Sequence, residues 1–223
     1  LHSDTHSFPT RRSSDLQILD GVVDVLPNPV QRGTVPAEEG EVKLSEDEPF
    51  SALVFKTISD PYTGRISIMR ILSGKITGDA SVKNANKDTS EKFSGLFVLQ
   101  GKEQENVDKA VAGDIVATAK LKETSTGDTL CDPSHVVQFP TIQFPEPSIS
   151  FAIEPKTRAD EDRISQAVHR IRDEDPTAVI ARDTDTKELI ISGNGQLHVE
   201  VVTNRLKKRF NVDVDLKPPK ISY

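Results

Sequence analysis

Few residues in this chain could do chemistry, and each also has a local structural explanation. Gly193-Asn194-Gly195 falls after a strand-like run and before a helix-like one, where backbone N–H groups can hold a phosphate. The third glycine of a dinucleotide loop is His198 here, and the surrounding pattern is an antiparallel hairpin, so the spacing favours a tight glycine turn. No G-x-x-x-x-G-K-[ST] run occurs, so the sequence shows no machinery for hydrolysing a nucleoside triphosphate. Cys131 and His135 could form half of a zinc site, but no second cysteine or close histidine pair completes it, and no metal is assigned. Cys131 is the single cysteine; it sits in a turn-rich stretch and reads as a packed thiol of a protein from a reducing compartment. His169 and His198 lie on helical runs without a neighbouring nucleophile pattern, which favours surface or interface histidines. Arg205, Lys207, Lys208 and Arg209 cluster at a helix end, where the dipole already favours cations; the same cluster could face RNA phosphates. No catalytic, cofactor-binding or metal-binding residue is assigned.

The elements that must position these residues fall into two groups. The Ser, Thr and Arg-rich residues 1–16 have no apolar period and are expected to be disordered; 6–16 look like a translated sequencing adapter joined to a gene fragment. Ile18, Val22 and Val25 predict a short helix ended by Pro27 and Pro29, followed by a linker through 31–48. Strand-like runs at 50–58, 66–72, 80–83, 95–99 and 115–121, separated by Gly, Pro and Asx turns, predict a small closed β-barrel. After Pro140, Pro145 and Pro147 the pattern becomes strand, helix, strand, strand, helix, strand, an α+β ferredoxin-like β-α-β-β-α-β order. The first of these helices carries Ile164, Ala167, Val168 and Ile171 on one face, and the last strand is read from Val212, Val214 and Leu216. The second helix has its core stripe at Val199, Val202, Leu206 and Phe210, with Leu197 and Val201 nearly opposite. Apolar residues on both faces point to a partner domain or to ordinary exposed side chains, and the spacing leaves both readings open.

Composition narrows the class. With 35% hydrophobic residues, no Trp and 28 basic against 35 acidic residues, the 223-residue chain suits two modest domains and excludes a polybasic nucleic-acid tail. No apolar run is long enough to span a membrane, and no secretory signal precedes the first element, so a soluble, cytoplasmic protein is expected.

Asp60-Pro61-Tyr62-Thr63-Gly64, Ser73-Gly74-Lys75-Ile76-Thr77-Gly78-Asp79, Ala112-Gly113-Asp114-Ile115-Val116-Ala117 and Thr126-Gly127-Asp128-Thr129-Leu130-Cys131 resemble the second domain of the elongation factor G family. Phe144-Pro145-Glu146-Pro147, Ile153-Glu154-Pro155-Lys156-Thr157, Glu174-Asp175-Pro176-Thr177 and the run from Ile190 to Glu200 resemble its third. The resemblance implies a barrel of the translation-factor domain II type at 48–133 and a ferredoxin-like domain III at 147–217. It also implies that 17–47 end a G domain and its linker, and that 218–223 begin a fourth domain. The implied whole is a ribosome-dependent translational GTPase that promotes translocation of tRNA and mRNA. GTP and Mg²⁺ would then lie in the parent protein outside this chain, which would not hydrolyse GTP alone. The implied partners are the ribosome, with its RNA and proteins, and the chain's own G domain and domains IV and V; no membrane and no DNA partner is implied. The interface with the G domain, which in the family receives fusidic acid, would take Pro155, Asp183, Thr184, Asp185, Leu197, His198 and Val201. Contacts to ribosomal RNA would come from Lys156, Arg158, Arg205, Lys207, Lys208 and Arg209. Gln196 and Val199 stand where the family usually has Glu and Leu, which resembles paralogues that recycle ribosomes or protect them from an antibiotic. Two readings from other classes stand beside it. One is an acylphosphatase-like phosphohydrolase using Arg158 and Asn194, whose first loop lacks the required glycines; the other is a binding module without ribosome affinity.

Overall fold

The computed structural model describes residues 11–60, 63–101 and 103–220, with the side chains of 11–14, 158, 159, 161, 162 and 166 excepted. Pro61 and Tyr62 of the Asp60 to Gly64 turn, adapter-like residues 1–10 and the end of the expected fourth-domain start, 221–223, therefore lie outside the described residues. Helix α1 spans Arg11–Val25, so the helix expected from Gln17 begins earlier and the segment expected to be disordered is helical from Arg11 onward. Leu and Arg are good helix formers, and joining an existing helix costs a residue far less than nucleating one. The predicted face of Ile18, Val22 and Val25 is exposed, as is Leu19.

Pro29 does not merely end that helix; it opens α2, Pro29–Arg32. Asn28 Oδ1 accepts from Gln31 N at 2.9 Å and Gln31 Oε1 from Asn28 N at 3.0 Å, a reciprocal cap that suits a proline in the first turn. The expected linker 31–48 is also corrected in part. Strands β1, Thr34–Pro36, and β2, Glu41–Lys43, pair antiparallel, and Val35 and Leu44 bury with Phe139 in a small core. Val35 opposite Val42 is a cross-strand apolar pair too short to read as a period in sequence.

The barrel holds β3 Ser51–Asp60, β4 Gly64–Ser73, β5 Lys75–Thr77, β6 Ser81–Asn84, β7 Thr89–Lys92, β8 Leu96–Gln100, β9 Glu103–Val107, β10 Lys109–Val111, β11 Ile115–Ala119 and β12 Thr129–Cys131. Eight of them form one antiparallel sheet in the order β7-β6-β12-β3-β4-β11-β8-β9, and β10 pairs with β5. The sheet curls until residues from distant strands, Val82 of β6, Leu96 of β8 and Leu130 of β12, share one core with Ala52, Met69 and Ile71. Phe50 and Phe93 meet edge to face there, 6.4 Å between centroids. All five strand-like runs of the sequence are strands. The strands it missed include Thr89–Lys92 and Glu103–Val107, polar runs whose pairing is set by their neighbours rather than by alternation. Gly74 turns β4 into β5 with φ 71°, and a Cβ there would lie 2.6 Å from the Glu48 carbonyl oxygen, so only glycine fits. Buried Glu91 closes the 120–125 loop onto β7, accepting from the N–H groups of Lys122, Glu123 and Thr124.

The second domain follows the predicted order: β13 Ile149–Pro155, α3 Arg158–Glu174, β14 Val179–Arg182, β15 Leu189–Gly193, α4 Gln196–Phe210 and β16 Val214–Lys217. Its sheet runs β14-β15-β13-β16, all antiparallel, the ferredoxin-like arrangement. Thr157 caps α3, its Oγ1 accepting from Asp160 N at 3.2 Å. Ile164, Ala167 and Ile171 of α3 and Val199, Val202 and Leu206 of α4 bury together over Ile153 and Ile191. Val212, read as part of the last strand, is buried ahead of β16, because Asn211 ends α4 in the left-handed conformation and turns the chain inward. Among the described residues no helix is long and apolar enough to cross a membrane.

Candidate functional site

His198 is positioned by the turn that precedes it. Its Nδ1 accepts from Asn194 N at 3.0 Å, which leaves Nε2 as the donor to Asp175 Oδ2 at 3.1 Å. The Asn194 N–H is therefore engaged within the turn, by the ring of the helix that follows. A Cβ on Gly193 would come 2.8 Å from His198 Nδ1, so the glycine makes room for the ring. Asp175 follows α3 and also accepts from Thr177 Oγ1 at 2.6 Å. Burial pushes the Asp175 carboxyl up, but hydrogen bonds from Thr177 and His198 outweigh it and hold the group below its ordinary range. The sequence analysis used Asp175 only within the Glu174-Asp175-Pro176-Thr177 motif, and no local pattern links it to His198, 23 residues further on.

On the outer face of α4, Leu197 is 73% and Val201 40% exposed, while Val199, Val202 and Leu206 are buried. The second apolar face seen in the sequence is therefore uncovered. The other residues of the expected interface are not beside it. Ile149 pairs with Gly193 and Ile153 with Leu189, so Pro155 and the β14–β15 hairpin lie at the end of β15 opposite to His198. The five-residue strand separates them by about 14 Å. In the hairpin, Asp183 Oδ1 accepts from Asp185 N at 2.9 Å and Thr186 N at 2.7 Å, and these bonds hold its pKa low, that from Thr186 foremost. Thr184 and Asp185 are exposed. Pro155 lines a groove of about 900 Å³ with Ile164, Arg182, Thr186 and Lys187.

The basic residues divide as well. Lys156 Nζ bonds Asp213 Oδ2 at 3.2 Å and lies 3.5 Å from Asp215, and Lys207 shares Asp213 at 3.3 Å. Lys208 is exposed and Arg205 half-buried; the side chain of Arg158 lies outside the described residues. Arg209 faces the barrel, with both Glu174 oxygens at 2.8 Å from its Nη1 and the Ser59 carbonyl as a further acceptor. Cys131 is buried, its Sγ 3.6 Å from the Lys83 carbonyl, and burial pushes the thiol up; His135 is exposed, so the two do not converge as metal ligands. Among the described residues no group of three or more His, Cys, Asp or Glu stands together as a metal centre would.

Residues 49–133 match the family model for elongation factor G domain 2, and 144–218 match that for elongation factor G, domain III. The chain belongs to the elongation factor G family. A crystal structure of a protein from Thermus thermophilus superposes with a TM-score of 0.78 at 28% identity, over 92% of this chain and 29% of that one. The chain thus spans under a third of that relative's length. In elongation factor G terms, the barrel is domain II, the ferredoxin-like unit is domain III, and His198, Leu197 and Val201 sit at the start of the second helix of domain III. The Glu174 cluster joins domain III to domain II, with Ser59 N donating to Glu174 Oε1 at 2.8 Å and Lys56 Nζ to the Glu174 carbonyl at 2.7 Å. Sequence reasoning missed this junction. The one signal for it was an acid at a helix C-terminus, where the dipole disfavours negative charge.

Proposed function

We propose that the chain supplies domains II and III of a ribosome-dependent translational GTPase that works in the cytoplasm and promotes movement of tRNA and mRNA. A G domain would carry the GTP and Mg²⁺ chemistry, and domain III would pack against it through Leu197, Val201 and the His198 turn. The observation that carries this reading is the uncovered apolar face of α4, Leu197 at 73% exposure, within a unit that belongs to domain III. Isolated exposed leucines are ordinary, but this one heads a helix whose other face is fully committed to the core. Lys208 and Arg205, free of the Asp213 pairing that engages Lys156 and Lys207, are the residues of the basic set best placed for ribosomal RNA phosphates.

A binding experiment tests both surfaces. Purified chain should cosediment with ribosomes and release as salt rises, and Lys208→Gln with Arg205→Gln should weaken that association. A separately purified G domain of elongation factor G, loaded with a GTP analogue, should bind the chain and lose affinity about tenfold with Leu197→Glu. Ribosome binding that ignores salt, or G-domain binding that ignores Leu197, would remove the support.

A further inference from the structure

The end of α3 runs against its own electrostatics. A helix C-terminus carries partial negative charge and unsatisfied carbonyls, yet α3 closes on Glu174, which is only 7% exposed. A carboxylate in that place needs cations and donors, and they come from both domains. Arg209 of α4 grips it through Nη1, while Ser59 of β3 donates its backbone N–H to the same carboxylate. Lys56, also of β3, donates to the Glu174 carbonyl and so brings a barrel cation to the helix end, beside Arg172 of its own last turn. Around them Arg65 lies 3.6 Å from Asp173, and Thr126 Oγ1 donates to the Asp173 carbonyl at 3.5 Å. Arg209 also reaches the Ser59 carbonyl, so one side chain ties the helix end to the barrel strand.

We propose that Glu174 and Arg209 form a polar latch that fixes the angle between domains II and III, and that releasing it frees domain III to swing on the strap at 140–148. The strap suits that role: it holds no helix or strand, most of it is exposed, and its last buried anchor is Phe139 in the small core beside β1 and β2. The hydrogen bonds and the Arg65–Asp173 ion pair across the junction are polar and partly exposed, and inter-domain contacts of that kind permit relative motion where large apolar ones do not. Removal of Arg209 leaves a carboxylate buried beside helix carbonyls with the Ser59 N–H as its remaining donor on the barrel side. Separation of the domains is then the direct way to hydrate it. The latch uses neither Leu197 nor Val201 and does not depend on what covers them.

Spin labels at Glu105→Cys on β9 and Asn204→Cys on α4, both exposed and outside the latch, report the inter-domain distance by dipolar spectroscopy of the whole chain. Buried Cys131 stays unlabelled. The parent should give one narrow distance distribution, and Arg209→Gln should widen it about twofold with unchanged circular dichroism. Salt near ~1 M, where screening reaches about 3 Å, should widen the parent in the same sense. Lys208→Gln, which removes the same charge one residue earlier on the same helix, should leave the distribution narrow. A narrow distribution in folded Arg209→Gln, or equal widening by Lys208→Gln, overturns the latch. Should Arg209→Gln lose helicity, Lys56→Met removes a barrel-side donor while leaving every pair within domain III intact, and a narrow distribution there overturns it equally.

Discussion

His198 shows how a residue that resembles a catalytic base can be a structural one. Both ring nitrogens are engaged, by Asn194 N and by Asp175. Gly193→Ala should therefore act through His198: with the new Cβ 2.8 Å from Nδ1, the ring must leave and two hydrogen bonds are lost. We expect a loss of about 1–3 kcal/mol in domain III, read by urea unfolding, and a variant as stable as the parent would contradict the arrangement. Asp175 carries the pH dependence of the same cluster. Its folded pKa is depressed, so the stabilisation is complete above the ordinary carboxylate value of 3.8 and is lost as pH falls through the lower folded value. Stability measured against pH should accordingly decline less steeply on the acid side in Asp175→Asn than in the parent.

At the scale of elements, the local signals of domain III were strong and those of the barrel were mixed. Helix α3 has its apolar stripe at the predicted positions and a Thr157 cap, so Thr157→Ala should cost about 1 kcal/mol, seen as a lower thermal midpoint for domain III. Loss of the cap without any shift would mean that Asp160 or solvent satisfies the same N–H groups. In the barrel, Ser51–Asp60 and Gly64–Ser73 were legible because apolar residues recur along them, Ala52, Val54, Met69 and Ile71 among them entering the barrel core. The strands at Thr89–Lys92 and Glu103–Val107 were not, since one buried residue, Glu91, in the first and a half-buried Val107 in the second give no period. Glu91 is itself read only in three dimensions: a charged residue in a polar run turns out to hold the 120–125 loop with several hydrogen bonds. Glu91→Ala should destabilise the barrel by about 2–3 kcal/mol, measured by denaturant unfolding, whereas a surface glutamate would cost almost nothing.

The two largest cores, that of the barrel and that of domain III, are joined by polar contacts and a strap. The barrel core and the core of domain III share no buried residue, so the two should unfold independently. Calorimetry should resolve two transitions, and Ile171→Ala, a buried truncation in domain III, should lower one of them by about 2–5 kcal/mol and leave the other in place. A single transition that moves as a unit would show that the junction couples the domains more strongly than its polar contacts imply.

The sequence by itself determined the class of both domains, the ferredoxin-like order, the family, and the two-faced character of α4. Each of these is written in local periodicity, turn chemistry or a contiguous motif such as Ile190 to Glu200. Tertiary structure alone decided that the expected interface residues divide between opposite ends of β15, that Asp213 engages Lys156 and Lys207, and that Arg209 faces domain II. The physical reason is common to all three. Which charge meets which depends on sheet register and on the docking of one domain against another, and those pairings join residues far apart in the chain, Ser59 and Arg209 among them, that no local pattern links.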